Sequence, residues 1–432
     1  MPYKVCKFGG TSLATADAVR QVLHLIEADG ERRIVVPSAP GRRFPGDGKV
    51  TDLLYMSAEE WKTSEVSPSY AEVKTRFYAI ASELGVSYPT EETFRKISEK
   101  YKKNPYDDYL VSRGEYLMAK MLAKALGFSF FDAADLLFLD KDGYTDVEKT
   151  RHAVRAAFRK SEKIVVPGFY AMGTDGRIHT FSRGGSDITG AILSEAIGAT
   201  VYENFTDVSG VYAADPRQID NPQTVPHISY RELRAMSRLG ASVLHEDAVF
   251  PVRRASIPIH IMNTFAPNDC GTYVDDDEKV GKIHVTGIAG KGGFFLIGVK
   301  RDCFNHEKNA YEKVLRVLKR ENLTPEQIAL SSDVVTLIVS GLDGDGNRKG
   351  LAAHLSAAID ADLVRFKDHM ALVTVVGVLS ARHIAAVSGA LDDKGIPLLY
   401  LSHAPESVSL YIGVEDDMLY PALSAIYGAL FR

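Results

Sequence analysis

Short apolar runs alternate with helical patterns along the first half of the chain. Residues 3–8 have the composition of a strand, and apolar residues then recur at helical spacing over residues 19–26. Residues 33–37 form the next apolar run, and residues 163–167 and 199–203 repeat the pattern. A strand, a helix and a second strand in this order predict parallel strands joined by right-handed crossovers.

The first domain is predicted to end near residue 275, where the composition changes. Residues 51–126 are mostly helical and charged, as helices that cover such a sheet are. Residues 268–278 then combine a loop, Asn-Asp-Cys-Gly, with the acidic run Asp-Asp-Asp-Glu. Residues 1–275 are therefore predicted to be one large α/β domain with a mostly parallel central sheet.

The rest of the chain predicts two smaller α+β units. Residues 291–368 have the order strand, helix, two strands, helix and strand, which is a ferredoxin-like split unit. Residues 369–432 repeat this order but lack its final strand. The apolar run at 283–289, within a connecting segment at 276–290, is predicted to supply that strand, because an unpaired edge would otherwise be exposed. The first unit would then be inserted within the second.

Composition and charge restrict the class of protein. The 432 residues are 45% apolar and 25% charged and carry a net charge of −5, which favours two to three globular domains and disfavours nucleic acid as a partner. Cys6, Cys270 and Cys303 lie far apart, as free thiols do in a reducing cytoplasm. With no signal-like start and no run of about 18 apolar residues, a cytoplasmic protein without a membrane span is expected.

Phosphate chemistry is indicated first by residues 7–12, Lys-Phe-Gly-Gly-Thr-Ser. The glycines allow a tight turn that brings backbone N–H groups close to an anion, and the following helix offers its positive end. Lys7 can direct a full charge to the same place. The alternative is a plain glycine turn capped by Thr11 or Ser12. A Walker A loop is excluded, because Asp47 stands where residues 41–46 would require a lysine.

Two further polar segments sit beside predicted strands and helices. Residues 182–187, Ser-Arg-Gly-Gly-Ser-Asp, contain Arg183, which can clamp a carboxylate, and Asp187, which can hold an ammonium group. Residues 206–217 add an aromatic and an arginine that suit a nucleobase and phosphates. A capped helix start and a polar loop are the respective alternatives. Because ligands collect at the carboxyl ends of strands in open α/β sheets, three such junctions favour one binding site.

Together these segments resemble the aspartate kinases of the amino-acid kinase superfamily. Residues 7–12 resemble their K-F-G-G-[TS]-S motif, 183–187 their R-G-G-S-D, 206–217 their T-D-V-x-G…D-P-R, and 112–115 their S-x-G-E. The tail is similar to their paired ACT domains. The resemblance implies an amino-acid kinase-like three-layer sandwich followed by two ACT units. It implies transfer of the γ-phosphoryl group of ATP to the side-chain carboxylate of L-aspartate, the first step of lysine, threonine and methionine biosynthesis, with Mg²⁺ as cofactor.

The resemblance also implies roles for individual residues. Lys7 and Asp187 would be catalytic, and the phosphates and nucleotide would be bound by Lys7, Gly9, Gly10, Thr206, Asp207, Tyr212 and Arg217. Aspartate would be bound by Ser38, Thr51, Glu115, Arg183 and Asp187. A lysine or threonine effector would lie beside Ser331, Ser332 and Asp333. The ACT domains imply a homodimer or a tetramer, and no metal-ligand cluster of the protein's own is expected.

One departure from the family keeps other functions open. Many members carry a nucleotide-contacting lysine where this chain has Ser242. Ser242 with water or metal, or another cation such as Arg217, would have to replace that charge, whereas the nearby His245 is expected to be structural. The alternatives are another amino-acid kinase, such as a glutamate kinase, and an amino-acid sensor whose kinase domain is inactive.

Overall fold

The structure is a computed structural model that describes residues 2–181, 184–240, 244, 246–276, 283–302, 309–340, 345–404 and 406–431. Arg183, Ser242, His245 and Cys303 lie outside these residues. The chain divides into two compact units. The first contains residues 1–211, 224–233 and 242–278, and the second contains residues 212–223, 234–241 and 279–432.

The strands and helices follow the alternation expected from the sequence. The strands up to residue 276 are β1 (Lys4–Phe8), β2 (Arg32–Pro37), β3 (Ser129–Phe130), β4 (Ile164–Val165), β5 (Tyr170–Met172), β6 (Ile178–Thr180), β7 (Val201–Thr206), β8 (Val211–Tyr212), β9 (Thr224–Val225), β10 (His227–Ser229), β11 (Ile259–Asn263) and β12 (Thr272–Asp275). The helices there are α1 (Ala16–Glu27), α2 (Val50–Glu60), α3 (Pro68–Leu84), α4 (Glu91–Lys103), α5 (Asp107–Val111), α6 (Arg113–Leu126), α7 (Ala133–Leu136), α8 (Val147–Lys160), α9 (Gly185–Ile197), α10 (Tyr230–Arg238) and α11 (Glu246–Arg254). After residue 283 come β13 (His284–Lys300), β14 (Pro325–Leu330), β15 (Val334–Ser340), β16 (Leu363–Val378), β17 (Tyr400–His403) and β18 (Ser409–Glu415), with helices α12 (Ala310–Arg320), α13 (Asp345–Ile359), α14 (Ala381–Asp392) and α15 (Leu419–Phe431).

The first unit is built on a sheet in the order β10-β12-β11-β7-β1-β2-β4-β3. Among its described strands only β11 and β12 run antiparallel, so the predicted mostly parallel sheet is confirmed. In the register of the three central strands, Phe8 lies opposite Pro37 on one side and Phe205 on the other. The carboxyl ends of β1, β2 and β7 therefore meet at one edge.

Helices cover both faces of this sheet, as expected for a three-layer sandwich. Cys6 and Phe8 point to the face that packs against α1, α3 and α6, in one continuous core. Their neighbour Lys7 points to the other face, where α9 packs against β1 and β7. Because side chains alternate along a strand, this places one polar residue of β1 beneath the N-terminus of α9.

The second unit contains one continuous antiparallel sheet in the order β14-β15-β13-β16-β18-β17. The predicted strand at 283–289 and the first strand of the 291–368 unit are the two halves of β13. The last strand of that unit and the first strand of the 369–432 unit are the two halves of β16. A register shift between Lys291 and Phe294, which skips Gly292 and Gly293, lets both halves of β13 pair with β16. The domain boundaries at residues 275, 290 and 368 remain a prediction.

The two halves of this sheet have the ferredoxin-like element order. The residue 294–300 half of β13 pairs with β15, and α12 and α13 pack their apolar residues onto it. The residue 284–291 half pairs with residues 372–378 of β16, whose other edge pairs with β18. Within the described part of the chain, no helix has the length and apolar character needed to cross a membrane.

Close packing of α9 on β7 depends on Gly190. A methyl group at this position would lie 2.5–2.8 Å from ring and hydroxyl atoms of Tyr202, which is itself fully buried. We expect Gly190→Ala to destabilise the protein by about 1–3 kcal/mol through overpacking. The measurement is the denaturant midpoint, with Gly30→Ala as the control because no atom lies within 4 Å of the added methyl group there. Equal midpoints for the two variants would contradict this account of the packing.

Candidate functional site

A cleft of about 880 Å³ opens at the carboxyl edge of β1 and β2 in the first unit. Six residues predicted for the site line it: Lys7, Gly10, Ser38, Thr51, Glu115 and Asp187. They come from strand ends, the glycine turn and the first turns of α2, α6 and α9. This cleft is the candidate active site.

The glycine turn after β1 is held by backbone hydrogen bonds. Gly9 donates its N–H to the carbonyl of Phe205 at 3.0 Å, and Gly41 donates to the carbonyl of Gly10 at 2.8 Å. A side chain on Gly41 would lie 2.6 Å from the carbonyl carbon of Gly10. Gly41 was missed in the sequence, where its signal was only the Pro40-Gly41 pair. The alternative in which Thr11 or Ser12 caps the helix does not hold, because α1 begins later and Thr15 accepts the capping hydrogen bond from Ala18.

Lys7 and Asp187 form an ion pair inside the cleft. The Nζ atom of Lys7 lies 2.5 Å from Oδ1 of Asp187, and each residue is less than a tenth exposed. Asn204, opposite Lys7 on β7, donates to the same Oδ1 atom at 2.8 Å and accepts from Lys7 at 3.4 Å. Two adjacent strands and the N-terminus of α9 thus fix both charges. Asn204 was missed, because a single polar residue within an apolar strand carries no motif.

The backbone around Asp187 is shaped by glycines. Gly184 has a φ of 78°, the left-handed conformation that favours glycine, and α9 begins at the next residue. A side chain on Gly185 would lie 2.5 Å from the ring of Phe169. These glycines let α9 start directly over the cleft, where its positive end favours an anion. Arg183, which precedes them, lies outside the described residues.

Glu115 occupies the first turn of α6 on another wall of the cleft. Gly114 lets this helix approach, because a side chain there would lie 2.8 Å from Cβ of Ala39. Glu115 is 4% exposed, and its Oε2 atom has no hydrogen-bond partner among the residues that the structure describes. Burial raises the pKa of Glu115 to about 8, against the smaller lowering effects of backbone hydrogen bonds and of Arg113. The side chain is therefore mostly neutral at pH 7.

The described residues that line this cleft do not include the predicted nucleotide-binding residues Thr206, Asp207, Tyr212 and Arg217. Thr206 ends β7, and its hydroxyl donates to Asp207 at 3.2 Å at the exposed start of the next loop. Tyr212 and Arg217 belong to the second unit, where Nη2 of Arg217 lies 2.6 Å from Oδ2 of Asp215. The arginine considered as a replacement for the missing lysine charge thus already has a carboxylate partner.

The predicted effector segment forms the turn between β14 and β15. Ser331 donates its backbone N–H to the carbonyl of Val334 at 2.9 Å, and its Oγ accepts from the N–H of Val334 at 3.1 Å. The carbonyl of Asp333 accepts a hydrogen bond from the N–H of Arg301. The serine hydroxyl therefore serves the turn itself, and an effector role for Ser331, Ser332 and Asp333 stays a prediction.

Comparison with known proteins shows to which family of amino-acid kinases the chain belongs. Residues 2–263 match the Amino acid kinase family. The chain is 33% identical to aspartokinase 3 of Bacillus subtilis over 447 aligned positions, which cover 99% of this chain and 98% of that one. The chain belongs to the aspartokinase family. The glutamate kinase alternative is thereby set aside.

Solved structures agree with this assignment. The crystal structure of Clostridium acetobutylicum aspartate kinase has a TM-score of 0.89 and 34% identity, covering 100% of this chain and 99% of that one. Escherichia coli aspartokinase III in complex with aspartate and ADP has the same fold, with a TM-score of 0.76 and 24% identity over 100% of both chains. The fold expected from the sequence, with ACT-like units after the kinase domain, is confirmed.

The raised pKa of Glu115 predicts how stability depends on pH. Between pH 4.5 and pH 8 the folded protein keeps a proton that the unfolded chain has released, because the ordinary glutamate pKa is 4.5 and the folded value is about 8. The free energy of unfolding should therefore be highest below pH 4.5 as far as this group is concerned, and fall with rising pH by at most about 1.4 kcal/mol per pH unit.

Denaturant titrations of the unliganded protein between pH 5 and pH 8 measure this dependence. Glu115→Gln should remove the Glu115 part of the slope and be more stable than the natural protein at pH 8. Glu99→Gln, a change of an exposed glutamate on α4, is the matched control. Parallel pH profiles for the natural protein and Glu115→Gln would contradict the raised pKa.

Proposed function

We propose that this chain phosphorylates the side-chain carboxylate of L-aspartate in the cleft beside Lys7, with ATP as the donor and 4-phospho-L-aspartate as the product. The observation that carries the proposal is one cleft that contains the buried Lys7–Asp187 pair, the glycine turn and the neutral Glu115. Membership of the aspartokinase family supports it, as do the aspartate and ADP in the E. coli relative.

The chemistry needs no general base in the protein. The acceptor carboxylate has an ordinary pKa of about 3.9, so it is already a nucleophile at pH 7. The difficulty lies in bringing two anions together and in cancelling charge on the transferring group. The Lys7 ammonium group provides that charge, and backbone N–H groups at the Gly9-Gly10 turn hold the phosphates.

Asp187 keeps Lys7 in position before the substrates arrive. Its Oδ1 atom already has two partners, Lys7 and Asn204, so the side chain cannot rotate without losing both. The Lys7 charge is therefore preorganised at the strand end. Asp187 also provides negative charge for the substrate ammonium group.

Aspartate is held by side chains from several walls of the cleft. Glu115 and Asp187 face its ammonium group, Ser38 and Thr51 offer hydroxyls, and Arg183 grips a carboxylate. An arriving ammonium group lowers the pKa of Glu115, so the carboxyl group ionises and releases its proton on binding. The burial that keeps Glu115 neutral is thus offset by the substrate's own charge.

Mg²⁺ is proposed to arrive with ATP. Among the described residues no group of three His, Cys, Asp or Glu side chains could hold a metal alone. A magnesium ion on substrate phosphates needs only one or two protein carboxylates, and the cleft offers Asp52 and Asp187. Bound there, the ion would neutralise phosphate charge.

The remaining assignments extend the proposal to the nucleotide and to regulation. Thr206, Asp207, Tyr212 and Arg217 bind ATP. The catalytic domain ends near residue 275, and the ACT units at 291–368 and 369–432, the second completed by residues 283–289, form a homodimer or a tetramer. Lysine or threonine binds beside Ser331, Ser332 and Asp333, and the enzyme acts in the cytoplasm. The crystal structure of E. coli aspartokinase III with lysine and aspartate supports an amino-acid effector.

Removing the Lys7 ammonium group is the sharpest test of the catalytic role. Lys7→Ala should reduce turnover by about a hundredfold or more, because charge stabilisation of this kind contributes ~3 kcal/mol or more to the transition state. Affinity for aspartate should change far less. The assay couples ADP release to a dye and traps the acyl phosphate with hydroxylamine, using L-aspartate and, separately, L-glutamate.

Lys62→Ala, which removes an exposed lysine on the same unit, controls for loss of net charge. Near-normal turnover in Lys7→Ala would overturn the assignment of Lys7. Lack of activity in the natural protein with either amino acid would favour the sensor alternative.

Proton release by Glu115 predicts the pH dependence of aspartate binding. Below pH 8 the ionised form becomes rarer, so the dissociation constant for aspartate should rise as pH falls, by up to about tenfold per pH unit. Isothermal titration between pH 6 and pH 8 in two buffers of different ionisation enthalpy measures both affinity and proton release. Glu115→Gln should bind weakly and without this dependence; unchanged proton release in that variant would exclude Glu115 as the source.

A further inference from the structure

The loop between β2 and α2 borders the cleft and contains three basic residues, Arg42, Arg43 and Lys49. Arg42 and Lys49 line the cleft, whereas Arg43 does not. We propose that this loop, residues 41–49, is an anion-binding element of the active site, in which Arg42 contacts the phosphoryl group being transferred and Lys49 contacts a carboxylate of the amino acid. The inference rests on the proposed function and adds two residues that no motif of the sequence indicated.

A buried arginine is hydrogen-bonded to the backbone at both ends of the loop. Arg76 on α3 is 1% exposed and donates to the carbonyl oxygens of Gly41 and Gly48, the latter at 2.5 Å. Its Nη2 atom also lies 3.6 Å from Oδ2 of Asp47. The two carbonyls belong to the residues directly before Arg42 and Lys49. One guanidinium group therefore fixes the backbone at both cations.

The three basic residues of the loop differ in whether they have an acidic partner. Arg43 donates to both oxygens of Asp47 at 2.9 Å and to Glu72 at 3.0 Å, so its charge is neutralised within the loop region. Arg42 and Lys49 are exposed and make no ion pair with any residue that the structure describes. Because isolated cations at the wall of a cleft attract anionic ligands, these two are the ones available to substrate.

The positions of the two cations distinguish their ligands. Gly41, next to Arg42, packs its backbone against Gly10 and Thr11 of the glycine turn, where the phosphates are proposed to bind. Arg42 and Thr11 also both line a second, adjoining cavity of about 380 Å³. Lys49 is the N-cap residue of α2 and stands two residues before Thr51, on the amino-acid side. The loop thus places Arg42 beside the proposed phosphate site and Lys49 beside the proposed amino-acid site.

The burial of Arg76 removes its charged group from water, and its hydrogen-bond partners are backbone atoms of the loop. Desolvation lowers the pKa of Arg76, and its Nε atom has no partner among the described residues. Burying a charged group is unfavourable unless it is paired and hydrogen-bonded, and Arg76 has such partners in the carbonyls of Gly41 and Gly48 and in Asp47. Arg76 is therefore a positioning residue, which acts through Arg42 and Lys49.

Charge-removing variants with steady-state kinetics test the proposal. Arg42→Gln should lower kcat or raise the KM for ATP by roughly tenfold or more, and Lys49→Gln should raise the KM for aspartate by a similar factor, as expected for loss of a charged hydrogen bond. Both cations are exposed, so the variants should keep the melting temperature of the natural protein. Added salt should raise the KM values of the natural protein more than those of the double variant.

Arg95→Gln is the matched control, because Arg95 is an exposed arginine paired with Glu99 on α4, outside the cleft. It should leave all kinetic constants within about twofold. Arg76→Lys tests the positioning role: in a variant that still folds by circular dichroism, the effects of adding Arg42→Gln should be smaller than in the natural background, since the cation is already misplaced.

Unchanged kcat and KM values in both Arg42→Gln and Lys49→Gln, with an active natural enzyme, would overturn the inference and leave the proposed function intact. An exchange of effects, with Arg42→Gln altering only the KM for aspartate, would overturn the assignment of ligands. An inactive natural protein would instead count against the proposed function itself.

Discussion

The active cleft depends on one buried ion pair, between Lys7 at the end of β1 and Asp187 at the start of α9. Burying either charge alone would be strongly unfavourable, and the pair is tolerated because Asn204 satisfies a further hydrogen bond of the carboxylate. Each partner belongs to a different layer of the sandwich. Packing α9 closely on the sheet and placing the catalytic charge are therefore the same structural requirement, and Gly190 allows it by leaving room for Tyr202 of β7.

Glu115, on another wall of the cleft, is a buried acidic residue that has no such cationic partner among the described residues. The protein satisfies Asp187 before any ligand arrives, yet leaves one oxygen of Glu115 buried and without a partner. Stability and binding are opposed at this residue, because the environment that makes its negative charge unfavourable in the empty cleft strengthens its attraction for an ammonium group. Both acidic residues are proposed to face the substrate ammonium group, but in the unliganded cleft only Asp187 already has a cationic partner, Lys7.

Much of this could be predicted from the sequence, and the failures have physical causes. The β1 turn, the start of α9 and the Glu115 helix each carry a local motif, so Lys7, Asp187 and Glu115 were found. Asn204 and Arg76 were not, because each acts through contacts with residues distant in sequence and looks ordinary within its own strand or helix. The strand at 283–289 and the first strand of the 291–368 unit were predicted as separate strands. They form the single strand β13, because a register shift between Lys291 and Phe294 lets both parts pair with β16.

The continuity of β13 and β16 has a mechanical consequence. Two ferredoxin-like halves joined by a flexible linker could tilt independently, but these halves share two strands of 17 and 16 residues that are hydrogen-bonded to each other. The two halves thus share one pair of hydrogen-bonded strands, whose register shifts at the junction between Lys291 and Phe294. Rotation of one half of the sheet relative to the other would therefore have to twist β13 and β16 or break hydrogen bonds between them.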